Sequence, residues 1–318
     1  MKSDEIYNFT NEHEFTFLGF PALNKAPVTS FLIMLIIYVI NAVENMLIII
    51  VTRIDSHLNK PMYYFIGFLS LVDISCASIV LPKMLTIILS NKNTISFLGC
   101  MTQMYVFLAV GITESFLLTI MSYDRYVAIC NPLRYYVIMT EKCCRLLVLG
   151  CWISGFLAVI LPVGIISRLP FCKSHVINHF FCDISPVIQL SCSDIQRLQL
   201  FFTFIASVVI IGSFPIIILS YVQIALTILD APSPASKKKT FSTCAAHLTV
   251  VLIYYGSISF MYIRPSSKTN LDLDKITSLF YSVLTPTMNP LIYSLRNDEI
   301  KNALKKLLGR KTKINSQD

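Results

Sequence analysis

Charged residues are scarce in this sequence. Only 14% of the 318 residues are Asp, Glu, Lys or Arg, whereas a soluble domain carries about a quarter. The shortage is concentrated in long blocks without charge, and the mean hydropathy of the chain is +0.66. This pattern excludes a water-soluble fold and indicates a chain that crosses a lipid bilayer. Tryptophan is almost absent as well, so aromatic anchors at the membrane surface must come mostly from the 15 tyrosines.

Residues 1–26 do not have the pattern of a cleavable signal peptide, and we expect none. Residues 1–26 include four acidic residues and no apolar core, so we expect the first apolar block to act as its own insertion signal. The segment contains the sequon Asn8-Phe9-Thr10, which makes Asn8 a candidate glycosylation site if residues 1–26 are extracellular.

Seven apolar blocks make up most of the chain, and each holds the ~20 residues that a hydrocarbon core requires. Backbone groups in lipid need internal partners, so the blocks must be helices. We predict an all-α membrane protein, a seven-transmembrane helix bundle, with an extracellular segment 1–26, a core 27–295 and a cytoplasmic tail 296–318. The blocks fall at residues 27–52, 61–86, 97–124, 144–166, 198–228, 240–263 and 271–295.

Basic residues fix the orientation of the bundle. With the N-terminus outside, the cytoplasmic segments carry 16 basic and 7 acidic residues, against 9 and 8 for the outer segments. The positive side of a membrane protein faces the cytoplasm, so an extracellular N-terminus is favoured. After the seventh block, residues 298–309 have the spacing of a short amphipathic helix, which predicts contact with membrane lipids. The alternative for the last few residues is a solvated basic tail.

The ten cysteines divide by side of the membrane. Four of them fall on the outer face, where disulfides persist, and four cysteines allow three pairings. A metal site in the same loop would use His175 and His179, but the spacing favours disulfides over metal. The four outer residues are Cys100, Cys172, Cys182 and Cys192.

The sequence lacks the features expected of two competing classes of membrane protein. A transporter or channel would show an internal repeat or a polar stripe along a pore, and neither is visible. A membrane enzyme would need a nucleophile–base pair or a metal cluster within the spans. Neither is evident, because His247 is the only histidine in a span and has no evident catalytic partner. We therefore predict no catalytic residue and no enzyme activity.

Ordered motifs extend over residues 45–296. The third block ends in Met121-Ser122-Tyr123-Asp124-Arg125-Tyr126, and an ion-forming pair at a membrane helix end is costly unless it is used. The set resembles the signatures of vertebrate odorant receptors of class II, within the rhodopsin-like G-protein-coupled receptors. The further matching segments are Leu58–Phe65, Leu69–Asp73, Ser220-Tyr221, Lys239–Leu248, Tyr254-Tyr255-Gly256 and Pro286–Tyr293.

The resemblance implies how such a chain works. It implies that an odorant activates a stimulatory, olfactory-type G protein and raises cAMP, in the plasma membrane of sensory cilia. It implies that Asp124 holds Arg125 at rest, and it implies the disulfides Cys100–Cys182 and Cys172–Cys192. The runner-up is a non-olfactory rhodopsin-like receptor for a small neutral ligand. The residues expected in activation and coupling are Asp124, Arg125, Tyr126, Tyr221, Lys239, His247, Asn289, Pro290 and Tyr293.

A ligand cavity is expected in the outer half of the bundle. Its candidate residues are apolar or aromatic with a few hydroxyls, and no acid occurs in the upper third helix where an amine receptor would need one. These features predict a small, neutral, mostly apolar ligand, and the resemblance implies that this ligand is a volatile odorant. The expected lining is Phe107, Leu108, Gly111, Ile112, Ser115, Phe202, Ala206, Val209, Tyr255, Ser259, Tyr262, Ser278 and Ser282.

Two acids lie within the spans. Asp73 and Glu114 are each near mid-helix, and two carboxyls in a bundle interior invite a shared cation or a shared proton. The resemblance favours a sodium site completed by Asn289, while the alternative is a neutral, hydrogen-bonded acid pair without an ion. We expect no other cofactor.

Overall fold

A computed structural model describes residues 14–20, 23–90, 93–172, 174–230, 234–262 and 271–314. Six long helices each contain a stretch long and apolar enough to cross a membrane. They overlap the first six predicted blocks and extend several of them by a turn at the ends. We label them α1 Pro27–Ile54, α2 Pro61–Ser90, α3 Phe97–Cys130, α4 Glu141–Ile166, α5 Ile195–Leu229 and α6 Pro234–Tyr262.

The seventh block forms α7, which consists of three consecutive segments. Leu271–Leu279 is α-helical, Phe280–Leu284 is π-helical, and Thr285–Arg296 is α-helical again. In the π-helical part the backbone N–H of Thr285 donates to the carbonyl oxygen of Phe280, five residues back. With α7 the predicted seven-helix bundle is confirmed.

Two prolines within α7 leave carbonyl oxygens without their usual backbone donors. Pro286 cannot donate to the carbonyl oxygen of Ser282, and Pro290 cannot donate to that of Pro286. Neighbouring helices supply both donors. The Cys76 thiol of α2 lies 3.7 Å from the Ser282 oxygen, and the Asn45 amide of α1 lies 3.3 Å from the Pro286 oxygen. Side chains therefore satisfy the backbone where proline interrupts it, as burial in lipid requires.

A small sheet covers part of the extracellular end. Strand β1 (Glu14–Phe17) pairs antiparallel with β2 (Thr94–Ser96) and parallel with β3 (Val176–Ile177). Phe15 and Phe17 are fully buried beneath it. This sheet was not predicted from the sequence, although the alternating apolar side chains of β1 are typical of a half-buried strand.

The helices α3 and α4 approach each other closely at a glycine of α4. A methyl group on Gly155 would collide with the hydroxyl of Thr113 and with the carbonyl oxygen of Ala109, both on α3. Small residues at membrane helix contacts let backbones approach in this way. The contact holds α3 and α4 at a separation that only glycine permits.

A last helix, α8 (Asp298–Ile314), follows α7 on the cytoplasmic side, where the sequence predicts an amphipathic helix. Ile300 and Ala303 on its apolar face are buried in the bundle core. On its other side Lys60 lies 2.7 Å from the carboxylate of Glu299. Burial raises the pKa of Glu299, but hydrogen bonds, chiefly from Lys60, outweigh burial and lower the pKa overall. Part of the face expected on lipid therefore packs against the helix bundle itself.

Candidate functional site

An inner cavity of about 90 Å³ lies in the outer half of the bundle, between α3, α4, α5, α6 and α7. Seven of the thirteen predicted ligand residues line it: Leu108, Gly111, Ile112, Ser115, Phe202, Ala206 and Val209. The remaining lining residues are Ala158, Val159, Pro162, Ile184, Ile205, Ile210, Tyr254, Ile258 and Tyr281.

The hydroxyl groups around the inner cavity are bonded to one another and to backbone. The Tyr254 hydroxyl lies 2.8 Å from that of Ser115 and donates to the carbonyl oxygen of Gly111 over 2.5 Å. The Tyr255 hydroxyl donates to that of Ser213 over 2.8 Å and approaches the Ser115 carbonyl oxygen at 3.3 Å. These bonds join α3, α5 and α6 below the cavity and leave its walls mostly apolar.

Sequence reasoning missed the rotation of α6 and the π-helical segment of α7. Tyr254, one residue before the predicted Tyr255, faces the cavity, while Tyr255 turns toward α5. On α7 the cavity residue is Tyr281. Ser282 is buried outside the cavity and donates to the carbonyl oxygen of Ser278. The π-helical segment changes which side chains face inward relative to a regular helix.

Two further predicted ligand residues, Phe107 and Ser259, also lie away from the inner cavity. Phe107 is buried, with its ring centroid 4.8 Å from that of Phe181 and 5.8 Å from that of Tyr281, so it supports the wall from behind. Ser259 is half-buried on α6 and does not line the cavity. The side chain of Tyr262 lies outside the described part of the chain.

A second and larger cavity, the vestibule, lies above the inner cavity. Its volume is about 440 Å³, and the outer loop and the outer ends of α5, α6 and α7 enclose it. Ile184 and Phe202 line both cavities, so the two spaces adjoin. Its polar lining includes Asn178, His179, Gln189, Gln196, Gln199, Thr203, Thr277 and the predicted ligand residue Ser278.

The outer loop is fixed to α3 by one disulfide and to α7 by a buried histidine, and a second disulfide closes the loop on itself. Both implied bridges are present, Cys100–Cys182 and Cys172–Cys192, with Cα atoms 5.4 and 5.9 Å apart. His179 is buried, and its Nε2 lies 3.2 Å from the Ser278 hydroxyl. Burial, assisted by the nearby Lys275 cation, lowers the pKa of His179 to about 3. The imidazole is therefore neutral at physiological pH.

The two buried acids lie close enough to interact electrostatically. Asp73 and Glu114 are each 1% exposed, and the Asn289 amide donates to Asp73 over 2.9 Å. One carboxylate oxygen of Glu114 and the amide oxygen of Asn289 have no hydrogen-bond partner among the described residues. In the described part of the chain no three His, Cys, Asp or Glu side chains group as a metal site. Two carboxylates and an amide are nevertheless the oxygen ligands that a hard cation prefers.

At the cytoplasmic end the structure differs from the implied Asp124–Arg125 pair. Asp124 is buried and accepts a hydrogen bond of 2.8 Å from Tyr135, which lies in the loop after α3. Within the described chain, Arg125 forms no ion pair with Asp124, and one of its terminal nitrogens is buried without a partner. In this conformation a loop tyrosine holds Asp124, a contact that sequence reasoning did not predict.

The other predicted coupling residues surround the same end of the bundle. Tyr221 of α5 lies 2.6 Å from Nδ1 of His247 on α6, with the two rings stacked. Tyr293 is buried, and its hydroxyl has no hydrogen-bond partner in the described chain. Pro290 is buried on α7, and Tyr126 is half-buried next to Arg125. The side chain of Lys239 and the whole of Asn8 lie outside the described residues.

Known proteins resemble this chain over nearly its whole length. A family model described as olfactory receptor matches residues 34–311. The human protein named olfactory receptor 6N1 is 46% identical over 303 residues, which is 95% of this chain and 97% of that protein. The mouse olfactory receptor 6B9 is 44% identical, covering 95% of each chain. The mouse olfactory receptor 10J5 is 43% identical, covering 96% of this chain and 98% of its own length.

Proposed function

The chain belongs to the olfactory receptor family of odorant-sensing G-protein-coupled receptors, and from this premise we propose that its ligand binds at the inner cavity. As a family member it is a multi-pass protein of the plasma membrane and not an enzyme. The observation that carries the proposal is the apolar cavity, whose lining residue Tyr254 bonds through its hydroxyl to Ser115 on α3, while the adjacent Tyr255 bonds to Ser213 on α5. A small, neutral, mostly apolar odorant matches such walls.

Ligand binding is transmitted to the cytoplasmic side through a shift in the populations of the inactive and active conformations. A ligand favours the active state only by its higher affinity for that state. An odorant that repositions Tyr254 changes the bonds that join α3 to α6. At the inner end, α6 contributes His247 to the contact with Tyr221, so a movement of α6 alters that contact too. Arg125 then becomes available to a stimulatory, olfactory-type G protein, which raises cAMP.

A cAMP screen tests the proposal. Cells that express the chain are exposed to a broad panel of volatile compounds, and surface expression is measured by flow cytometry in parallel. We expect a saturable rise in cAMP for some compounds and none in the Arg125→Ala variant at equal surface level. A silent receptor at a verified surface level would contradict odorant sensing through this G protein. A full response in Arg125→Ala would contradict the role of Arg125.

We also propose a sodium ion between Asp73, Glu114 and Asn289. The unpartnered oxygens of Glu114 and Asn289 fit such an ion, which would neutralise negative charge between α2, α3 and α7. Replacing external sodium by choline is expected to change basal cAMP in the natural chain and not in Glu114→Gln. Equal sodium dependence in both would contradict the site and favour the acid pair without an ion.

A further inference from the structure

The inner cavity is too small to hold a whole odorant of ordinary size. Its volume of about 90 Å³ is well below the roughly 300–1,000 Å³ of typical small-molecule pockets. The vestibule, at about 440 Å³, falls within that range. A ligand that reaches the tyrosines of the inner cavity must therefore extend past Ile184 and Phe202 into the vestibule.

The two cavities differ in chemistry. The hydroxyls beside the inner cavity already bond to each other and to backbone, so a polar group placed there would have to break existing bonds. The vestibule presents the side-chain amides of Asn178, Gln189 and Gln199, for which the described chain shows no side-chain hydrogen bond. An amide both donates and accepts, so it matches a hydroxyl or a carbonyl group.

The charges around the vestibule disfavour an anion. Asp183 and Asp274 are among its lining residues, and its described lining includes no lysine or arginine. His179 is neutral there because burial holds its pKa near 3. A carboxylate loses hydration when it enters a cavity, and the described lining offers no lysine or arginine side chain to replace that hydration, so an anion binds there at a cost in affinity.

We propose that the preferred ligands are straight-chain amphiphiles with a neutral polar end, an alcohol or an aldehyde. The polar end lies in the vestibule, and the aliphatic chain passes between Ile184 and Phe202 into the inner cavity. This proposal rests on the proposed function, since it specifies the ligand of the same site. The new element is the division of one ligand between two chemically different cavities.

Chain length and end group are varied separately to test it. Primary alcohols from propanol to nonanol are compared with alkanes and carboxylates of matched length by cAMP concentration–response curves at pH 7.4. We expect the half-maximal concentration to fall about fourfold for each added methylene until the inner cavity is full. Carboxylates are expected to be at least about tenfold weaker than the matched alcohols.

Substitutions at two neighbouring residues test whether the ligand passes from the vestibule into the inner cavity beside Phe202. Phe202→Trp enlarges the side chain that lines both cavities and is expected to abolish the gain in potency beyond short alcohols. Phe201→Trp is the matched control, because Phe201 is adjacent, 37% exposed, and lines neither cavity. Gln199→Leu is expected to reduce the preference for an alcohol over the matched alkane. Flow cytometry confirms equal surface levels in every case.

The outcomes separate this inference from the proposed function. Length-dependent potency, weak carboxylates and a selective effect of Phe202→Trp would support the two-cavity ligand. Responses to other odorants in the same cells, without dependence on chain length or end group, would overturn it and leave the receptor function intact. Equal effects of Phe202→Trp and Phe201→Trp would also overturn it. Silence toward every compound would overturn both proposals together.

Discussion

The contact at Gly155 predicts opposite effects for two equivalent substitutions in one helix. In Gly155→Ala the new methyl group collides with the Thr113 hydroxyl and with the Ala109 carbonyl oxygen on α3. Backbone cannot move aside as a flexible side chain does, so α3 and α4 must separate. Overpacking of this kind costs about 1–3 kcal/mol. In Gly150→Ala, five residues earlier on α4, the methyl group meets nothing within 4 Å.

Thermal stability in detergent measures the difference. One kcal/mol corresponds to roughly 2–4 °C in proteins of 150–250 residues, so Gly155→Ala is expected to lower Tm by about 2–12 °C. Gly150→Ala is expected to leave Tm unchanged or raise it slightly, because alanine restricts the unfolded chain by about 0.4–1 kcal/mol. Fluorescence-detected size-exclusion chromatography after heating reports Tm without a ligand. Equal Tm values for the two variants would refute the close approach of α3 and α4.

Three further predictions concern the cavity and the outer face. Gly111→Ala places a methyl group 2.6 Å from the Tyr281 hydroxyl, so agonist potency should fall by about tenfold or more. Gly212→Ala is the control and should leave potency unchanged, because its methyl group meets nothing within 4 Å. His179 has a lowered pKa, so the stability that its neutral form contributes is present above pH 6.5 and declines as pH falls toward 3. The Tm difference between the natural chain and His179→Asn should therefore shrink between pH 7.5 and pH 5, by the equivalent of about 2 kcal/mol; a constant difference would contradict the buried neutral imidazole. Replacing the Cys100–Cys182 pair by serines should destabilise more than replacing Cys172–Cys192, by about 1 kcal/mol, because the bridges span 82 and 20 residues; the reverse order of Tm values would contradict this account.

The sequence was most informative where a helix is buried on most of its faces. Hydropathy located all seven helices, and the positions predicted on α3 from Leu108 to Ser115 line the cavity, because many sides of α3 face the core. The helix α6 is apolar on all sides in its membrane part, so the sequence carried little information on its rotation. Tyr255 was therefore predicted to line the cavity, whereas the lining residue is Tyr254.

Other features depend on tertiary context that no local pattern specifies. The π-helical segment at Phe280–Leu284 shifts the inward face of α7, and only the packed bundle reveals it. The strand β1 is four residues long and gains its partners from loops about 80 and 160 positions away. The Tyr135–Asp124 bond likewise needs the loop after α3 to fold back on the helix. Short elements and long-range bonds of this kind are set by assembly of the bundle.

The bonds that Cys76 and Asn45 make to α7 give that helix a jointed construction. A regular membrane helix satisfies its own backbone and moves as a rod, whereas α7 depends on α2 and α1 for two of its carbonyl oxygens. Both bonds lie between the ligand-facing part of α7, which carries Tyr281, and the cytoplasmic part, which carries Tyr293. A bend of α7 between these two parts would change side-chain bonds to α1 and α2 rather than backbone bonds within the helix. We therefore expect the neighbouring helices to control how the ligand-facing half of α7 tilts relative to its cytoplasm-facing half.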